Sequence, residues 1–248
     1  MKKLLFSLII FLLCTSLFSC SKKAEEKSNA EIAYTKAMKL LKQKNYTSAA
    51  EAFLKIEDDF PFSKWATKGQ NMAVYAYYKE EEYPKLVQVV DDFVRLNPAN
   101  ETMPYMLYMK GLSYYNQIPE IDRAQDNTHQ ASIIFRELIA RFPDSEHSQD
   151  AKKRLAYVDE HLAGAKMSIG RYQIKVRNYV GAINSFTEVT ERYRFTNQAP
   201  EALFRLTEIY YKIGLKSEGK KAFKILAENF PRNNWTKLAS KINDEFVE

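Results

Sequence analysis

The sequence predicts an all-α protein built from repeated helix hairpins. Apolar residues recur at helical spacing from about residue 30 to the end of the chain. Glycine and proline are scarce, with 7 and 8 copies in 248 residues, which argues against the many tight turns of a β protein. Most apolar stretches end at a proline, and a residue that favours helix N-caps follows two positions later. The recurrence of this punctuation indicates a repeat architecture.

The amino terminus has the layout of a secretion signal. Lys2 and Lys3 provide a positive start, and the apolar run 4–13 follows them. This run is shorter than the about 20 residues that a membrane-spanning helix needs. The sequence therefore predicts that residues 1–19 are a signal peptide.

The end of this signal is similar to a bacterial lipobox. Leu17 stands three positions before Cys20, and the small Ser19 stands directly before it. Phe18 is bulkier than the residue usually found at its position. We expect Cys20 to become the lipidated first residue of the mature chain, with an ordinary secretory signal as the alternative.

Cysteine usage agrees with lipidation. The chain has two cysteines, Cys14 and Cys20, and Cys14 lies inside the segment to be removed. The mature protein is therefore expected to carry no disulfide, which an oxidising periplasm permits. Residues 20–29 are mostly polar and predict the lipidated cysteine with a flexible tether. Ser21 is not the aspartate that retains lipoproteins in the inner membrane, so similarity to proteobacterial lipoproteins implies the outer membrane, facing the periplasm.

The repeats align on the ends of the apolar stretches. These anchors are Pro61, Pro98, Pro143, Arg194 and Pro231. Eight residues before them stand Phe53, Val90, Phe135, Phe186 and Phe223. Twelve residues before them stand Ala49, Leu86, Ala131, Ala182 and Gly219. This is the tetratricopeptide (TPR) pattern, in which a small residue lets two helices cross closely.

We therefore predict a TPR-like α-solenoid of five helix-hairpin repeats. Their approximate ranges are 30–62, 63–99, 100–144, 145–195 and 196–248. The expected N-caps, two residues after the anchors, are Ser63, Asn100, Ser145, Thr196 and Asn233.

The anchor spacings are 37, 45, 51 and 37 residues, longer than the about 34 of a tandem array. The second spacing contains a polar insertion, 116–126, between predicted helices 105–115 and 127–141. The third contains a predicted long helix from Asp150 to Leu162 that runs on towards Arg171. The stretch from Trp235 to Phe246 predicts a capping helix.

The sequence shows no recognisable catalytic or cofactor site. None of the three histidines has the spacing of a metal site, and no glycine-rich phosphate loop occurs. The formal net charge of +6 is too small to indicate nucleic-acid binding. We therefore predict a protein that is not an enzyme and that binds no cofactor, metal or nucleic acid.

Tyrosines form the candidate peptide-binding set. Tyr75, Tyr78 and Tyr105 are candidates to line a groove that grips an extended peptide by stacking and hydroxyl hydrogen bonds. The alternative for them is ordinary core packing. Core packing is the preferred interpretation for the tyrosines at the aromatic helix-A position of the repeat, which are Tyr77, Tyr114 and Tyr210.

The insertion has two interpretations. Arg123 with Asp122 and Asp126 either forms a local salt-bridged loop or presents a surface to a partner. Long loops inside a compact repeat are often functional, so both interpretations stay open.

Several segments together carry a family resemblance over nearly the whole mature chain. They are DDFPFS (58–63), VYAYYK (74–79), DDFVRLNP (91–98), PYMLYMKGLSYYNQI (104–118), DRAQDNT (122–128), FRELIARFPDS (135–145), DAKKRL (150–155) and NFPRNNW (229–235). With the lipobox, they resemble the BamD family, TPR lipoproteins of the outer-membrane β-barrel assembly machinery.

The resemblance implies a non-enzymatic scaffold that promotes insertion of β-barrel proteins into the outer membrane. Family members dock on a POTRA domain of the barrel subunit BamA, bind a BamE-like lipoprotein and help to recognise unfolded outer-membrane protein precursors. The N-terminal groove would face these precursors, and the C-terminal repeats would hold the BamA-like subunit.

Individual residues follow from the same resemblance. Phe62 and the Tyr75–Tyr78 region are carried over to the precursor groove, and Asn184, Arg192 and Tyr193 to the BamA side. Ser185 stands where the family often has arginine, so Arg192 or Arg194 would have to supply that charge.

A rival interpretation is another periplasmic TPR lipoprotein, tied to the Tol–Pal system or to peptidoglycan. It predicts a coiled-coil segment before the repeats, for which residues 21–29 are too short and too polar.

Overall fold

The computed structural model describes residues 29–61 and 63–247. Cys20, Phe62, the predicted signal and most of the tether therefore lie outside the described residues. Every regular element within the described part of the chain is an α-helix, which confirms the predicted fold class. The helices are α1 (29–42), α2 (Tyr46–Asp59), α3 (Lys64–Lys79), α4 (Tyr83–Leu96), α5 (Met103–Tyr115), α6 (Asp126–Arg141), α7 (Glu146–Lys175), α8 (Tyr179–Arg192), α9 (Ala199–Lys212), α10 (Lys216–Asn229) and α11 (Asn234–Val247).

The chain divides into two compact units after Ser113, inside α5. The N-terminal unit contains α1 to α4 and most of α5, and in it α3 packs against both α2 and α4. The C-terminal unit contains α6 to α11, in which consecutive helices pack against one another. The capping helix α11 also packs against α9, as the sequence predicts for an end cap.

The predicted punctuation marks the helix ends. The helices before the anchors end two residues earlier, at Asp59, Leu96, Arg141, Arg192 and Asn229. The next N–H still donates to the carbonyl four residues back, as Phe60 does to Ile56 over 2.9 Å. Helix α8 ends in this way without a proline.

Four of the five expected N-caps accept a backbone hydrogen bond at a helix start. Ser63 accepts from Ala66 over 3.1 Å and Ser145 accepts from His147 over 3.3 Å. Asn100 and Asn233 accept from the N–H groups of Thr102 and Trp235. Thr196 is the exception, because its hydroxyl donates to the carbonyl of Tyr193 instead.

The core is formed by the residues eight and twelve positions before the anchors. The members with no exposed surface are Phe53, Val90, Phe135, Phe186, Ala49, Leu86, Ala131 and Ala182. Helix crossings are close enough to require glycine on the facing helix. A Cβ on Gly69 would lie 2.7 Å from the Phe53 carbonyl oxygen, and one on Gly170 would lie 2.5 Å from the Phe186 ring. These contacts join α2 to α3 and α7 to α8.

The tyrosines assigned to the core differ in burial. Tyr77 is buried, whereas Tyr114 and Tyr210 are only partly buried. Tyr211 takes the buried place in α9, with its ring 3.1 Å from the position of a Cβ on Gly219. The absence of a side chain at Gly219 leaves room for this ring.

Four hairpin turns within the described residues share a residue with positive φ just after the helix end. Lys44, Glu81, Arg177 and Gly214 follow the ends of α1, α3, α7 and α9 with φ of 61°, 61°, 60° and 83°. The next residue then donates back across the turn, as Asn45 does to the Leu40 carbonyl over 3.1 Å. This is the left-handed cap that usually takes glycine, which only Gly214 provides here.

Helix α7 is longer than predicted. The sequence indicated a helix from Asp150 to Leu162 that runs on towards Arg171, and α7 spans Glu146–Lys175 without a break, 30 residues in all. Gly164 and Gly170 lie inside α7. Glycine suits both positions because a neighbouring side chain comes close to each of them. No helix of the described residues is long and apolar enough to cross a membrane.

Candidate functional site

The groove tyrosines lie in the N-terminal unit. Asn71, Tyr75 and Tyr78 are spaced four and three residues apart, which places them on one face of α3. The Tyr105 hydroxyl on α5 donates to the Asn71 carbonyl over 3.3 Å. We call these four residues the tyrosine face. Tyr75 is 39% exposed, so its ring is available to a ligand.

Within the tyrosine face, the Tyr105 hydroxyl stays protonated. Burial raises the pKa of Tyr105 far above the usual value, and the nearby Tyr75 raises it further. The Tyr105 hydroxyl therefore remains a protonated donor at neutral pH. Oδ1 of Asn71 is a buried acceptor without a hydrogen-bond partner in the described residues. Aromatic rings beside amide and hydroxyl groups suit the backbone and apolar side chains of a peptide.

Tyr78 belongs partly to the packing of its own hairpin. Its ring meets the Tyr83 ring edge-on at the start of α4, with centroids 6.3 Å apart. The structure thus brings Tyr75 and Tyr105 together and directs Tyr78 towards the next helix.

A cationic edge accompanies the tyrosine face, and the sequence patterns did not reveal it. The ammonium groups of Lys64 and Lys68 lie 5.3 and 5.0 Å from the ring centroid of Trp65. The Trp65 ring in turn lies 4.9 Å from that of Tyr34 on α1. The N-terminal end of α3 is therefore basic and aromatic.

The partner-binding candidates on α8 lie in the C-terminal unit. Asn184 is exposed on α8, and Arg192 is exposed at its end, 3.6 Å from Glu188. Tyr193 is buried, with 6% of its surface exposed. Arg192 and Tyr193 line a cleft of about 490 Å³ together with Phe195, a residue that the sequence analysis passed over.

Burial raises the pKa of two groups beside this cleft, Tyr193 and Asp159. It raises the pKa of Tyr193, and the carboxylates of Glu188 and Asp159 raise it further. Asp159 receives two hydrogen bonds from Arg136, at 2.6 and 2.7 Å. Burial nevertheless raises the pKa of Asp159, with Arg136 acting in the opposite direction.

The Ser185 side chain forms a hydrogen bond within its own helix, α8. Its hydroxyl donates to the Gly181 carbonyl over 3.1 Å, so it is used inside α8. The exposed cations at the C-terminal end of α8 are Arg192 and Arg194.

Arg123 lies elsewhere, in the loop between α5 and α6, and its side chain is exposed. Gln125 organises this loop. Its Nε2 donates to the carbonyls of Glu120 and Arg123, both over 2.9 Å, and its Oε1 accepts from Thr128 over 2.7 Å. Among the ion pairs of the described residues none involves Arg123, so an amide rather than a salt bridge holds the loop.

The described part of the chain brings together no group of three or more His, Cys, Asp or Glu residues able to hold a metal ion. The described binding candidates fall into two sets, with the tyrosines in the N-terminal unit and Arg123, Asn184, Arg192 and Tyr193 in the C-terminal unit.

Comparison with known proteins identifies the family. Residues 26–237 match the family model described as "YfiO: Outer membrane lipoprotein". The outer membrane protein assembly factor BamD of Caulobacter vibrioides is 34% identical over 230 residues, covering 90% of this chain and 75% of that protein. The BamD of Rickettsia prowazekii is 35% identical over 224 residues, covering 90% and 89%. The BamD of Neisseria meningitidis serogroup A is 30% identical over 251 residues, covering 94% and 93%. The chain therefore belongs to the BamD family of outer membrane protein assembly factors.

Proposed function

We propose that this protein is a non-enzymatic scaffold lipoprotein of the β-barrel assembly machinery. It receives unfolded β-barrel precursors on the tyrosine face and holds a BamA-like barrel subunit through the C-terminal unit. Membership of the BamD family carries the general role in outer membrane protein assembly. The two surfaces and their occupants are our proposal.

The observation that carries the precursor site is the pairing of Tyr75 with Tyr105. One ring is open to solvent, and the other holds its hydroxyl on the backbone of α3. Precursors of β-barrels present extended strands that end in aromatic residues, as the family resemblance implies. Tyrosine rings stack on such side chains, and the hydroxyl of the exposed Tyr75 can pair with an extended backbone.

The partner side rests on exposed polar residues around α8. Asn184 and Arg192 would contact a POTRA domain of the BamA-like subunit, while the buried Tyr193 supports the loop beside them. A BamE-like lipoprotein is the second protein partner, and the exposed Arg123 loop is a separate surface available to a partner.

The protein is held at the inner leaflet of the outer membrane by lipid on Cys20. Two or three acyl chains anchor a protein far more firmly than a single chain does. The relatives named above are assembly factors, which favours this role over a scaffold of the Tol–Pal system or of peptidoglycan.

Peptide binding by the intact protein in detergent tests the precursor site. A fluorescent peptide with the sequence of a barrel precursor's last strand should bind wild type more tightly than Tyr75→Ala, by roughly 2- to 10-fold for a lost aromatic contact. Tyr172→Ala is the matched control, because Tyr172 is a 60% exposed tyrosine in the other unit. Equal binding by all three proteins would exclude the tyrosine face as the receptor.

Copurification tests the partner side. A barrel subunit with POTRA domains should accompany the protein through detergent extraction, and depletion of the protein should lower the amount of folded outer-membrane barrels. Normal barrel levels after depletion would contradict the assembly role.

A further inference from the structure

Two hairpin turns of the C-terminal unit expose aliphatic side chains. Val176 and Val180 lie at the turn between α7 and α8. Ile213 and Leu215 lie on either side of Gly214 in the turn between α9 and α10. These four side chains have between 39% and 70% of their surface exposed. Single exposed aliphatic side chains are common, whereas a contiguous group of them marks an interaction site.

The two turns lie side by side on one edge of the C-terminal unit. Helix α8 packs against both α7 and α9. The Lys212 ammonium at the end of α9 lies 5.3 Å from the ring centroid of Tyr179 at the start of α8. We call residues 175–180 and 212–216, which contain both turns, the turn edge. Its four aliphatic side chains therefore belong to one surface.

Backbone hydrogen bonds hold both turns in place. The Asn178 N–H donates to the Gln173 carbonyl over 2.9 Å. The Leu215 N–H donates to the Tyr210 carbonyl over 2.8 Å. The aliphatic side chains are therefore exposed on closed turns and not on frayed helix ends. A surface that is formed before binding loses little conformational freedom when it binds.

The turn edge is rich in cations. The segments 161–187 and 209–217, which contain it, hold no aspartate or glutamate. Glu208 and Glu218, which border the second segment, form ion pairs with an arginine and a lysine of their own helices, over 3.0 and 2.8 Å. The exposed cations of the turn edge, none of which belongs to an ion pair of the described residues, are Lys175, Arg177, Lys212 and Lys216. They therefore remain available to an anionic ligand.

Two exposed carboxylates lie near one end of the turn edge, Asp244 and Glu245 of α11. Their neighbours Asn243 and Phe246 contact Tyr211 at the end of α9. Four exposed cations against these two carboxylates leave the turn edge with a net positive charge. Its binding to an anionic surface should accordingly weaken as salt is added.

We propose that the turn edge contacts the phospholipid surface of the membrane to which the protein is tethered. Its aliphatic side chains enter the headgroup region, and its lysine and arginine side chains bind lipid phosphates. The inference rests on the proposed function for the tether, which is the lipid on Cys20. A membrane is always within reach of a tethered protein, so even a weak surface contact is populated.

The composition of the turn edge favours lipid over an acidic protein. Protein interfaces are enriched in aromatic side chains and arginine and depleted in lysine. The exposed side chains of the turn edge are instead valine, isoleucine and leucine, with three lysines and one arginine. Aliphatic side chains beside lysines suit the interface of a bilayer, because the lysine stem packs on apolar groups while its ammonium reaches the phosphates.

Such a contact orients the C-terminal unit and leaves retention to the lipid anchor. Even a single acyl chain gives only marginal membrane binding, so four partly exposed aliphatic side chains add a weak contact. The Cys20→Ala protein is therefore still expected to leave the membrane on fractionation. The lipidated protein keeps this edge of the C-terminal unit against the bilayer.

Vesicle binding by residues 20–248 with Cys20→Ala, which carry no lipid, tests the turn edge. The purified protein should cosediment with vesicles of equal parts phosphatidylglycerol and phosphatidylcholine, and less with phosphatidylcholine alone. Lys175→Ser combined with Lys216→Ser should weaken binding by about tenfold or more, because each cation near an anionic surface contributes to attraction. Ile213→Ser should also weaken binding, because an aliphatic side chain no longer enters the headgroup region.

Lys152→Ser combined with Lys153→Ser is the matched control. Both lysines are exposed on α7, about 35 Å along the helix from Lys175. Charges that far from the bilayer are screened by salt, so binding should stay within about twofold of the unaltered protein.

A polarity-sensitive dye on Leu215→Cys measures insertion directly. Residues 21–248 contain no cysteine, so the dye is attached at one place. Its emission should shift to the blue on phosphatidylglycerol vesicles, whereas the same dye on Lys152→Cys should not shift.

The outcomes separate the turn edge from the proposed lipid anchor. Absent binding to phosphatidylglycerol vesicles, equal binding to both kinds of vesicle, or equal losses in the turn-edge and control variants would refute the lipid contact. Binding to polyglutamate without binding to vesicles would indicate an acidic protein partner instead, and would also refute it. The anchor is judged separately, by fractionation of the lipidated protein. Circular dichroism and thermal melting verify that the variants fold.

Discussion

The Tyr211 hydroxyl on α9 donates to the Asn243 side-chain oxygen on α11 over 2.7 Å. The Tyr211 ring also lies parallel to that of Phe246, with centroids 4.9 Å apart and an angle of 4° between the planes. One buried tyrosine thus joins the last hairpin to its capping helix by both a polar and an aromatic contact. A repeat array needs such a cap because its terminal hairpin otherwise exposes an apolar face.

Tyr211→Phe is expected to loosen α11 while keeping the ring contact. Loss of the hydrogen bond should lower the free energy of unfolding by about 1 kcal/mol. A double-mutant cycle with Asn243→Ala isolates the pair from the gain in helix propensity that alanine brings, and the coupling should be about 0.5–1.5 kcal/mol. Lys241→Ala, on the exposed side of α11, is the control. A coupling near zero would mean that the hydrogen bond does not hold the cap.

Glycine at the left-handed turns is expected to stabilise the protein. Glu81→Gly and Arg177→Gly should each raise the free energy of unfolding, measured by urea denaturation, by about 0.5–1 kcal/mol, because glycine adopts positive φ without the Cβ clash. Gly214→Ala should lower stability by a similar amount. Lys79→Gly, at the last residue of α3 and two residues from Glu81, should instead destabilise. A loss of stability in Glu81→Gly would contradict the argument from backbone strain.

Gly170→Ala is expected to destabilise the C-terminal unit, because the added methyl group meets the fully buried Phe186 ring. Overpacking of this kind costs about 1–3 kcal/mol, more than alanine's gain in helix propensity. Adding Phe186→Leu should recover part of the loss by making room. Ile169→Ala, at the exposed neighbouring position, serves as the control in the same unfolding measurement, and equal stabilities for the two variants would argue against close contact.

Gln125→Ala is expected to free the loop between α5 and α6. The change removes the donors to the Glu120 and Arg123 carbonyls, so hydrogen exchange and proteolytic cleavage within 116–125 should increase. Arg123→Ala should leave both rates unchanged, since no ion pair of Arg123 supports the loop. Faster cleavage in the Arg123 variant alone would mean that Arg123, and not Gln125, stabilises the loop.

Cys20→Ala is expected to release the protein from outer membranes into the soluble periplasmic fraction. Cys14→Ala is the control, because Cys14 lies in the predicted signal and should leave anchoring intact. Continued fractionation of the Cys20 variant with the outer membrane would show that lipid is not the only attachment.

The repeat pattern predicted the core well because its signals are local. Phe53 and Ala49 lie one turn apart on a single helix, and their burial follows from helical periodicity alone. The left-handed turns were not recognised, since three of them carry lysine, glutamate or arginine where the usual signal is glycine. The predicted helix from Asp150 towards Arg171 fell only about one turn short of α7 at each end, Glu146–Lys175.

The sequence by itself determined the helical class, the hairpin punctuation and the family, because each depends on residues close together in the chain or on matching segments in order. Tertiary structure decided which side chains meet. Tyr105 reaches the backbone of Asn71, 34 residues away, only because the fold brings its side chain to α3. Phe195 is exposed and Tyr193 buried, although they are two residues apart, because the loop is fixed by Glu160 of a distant helix. Such contacts depend on how the helices pack, which local patterns do not encode.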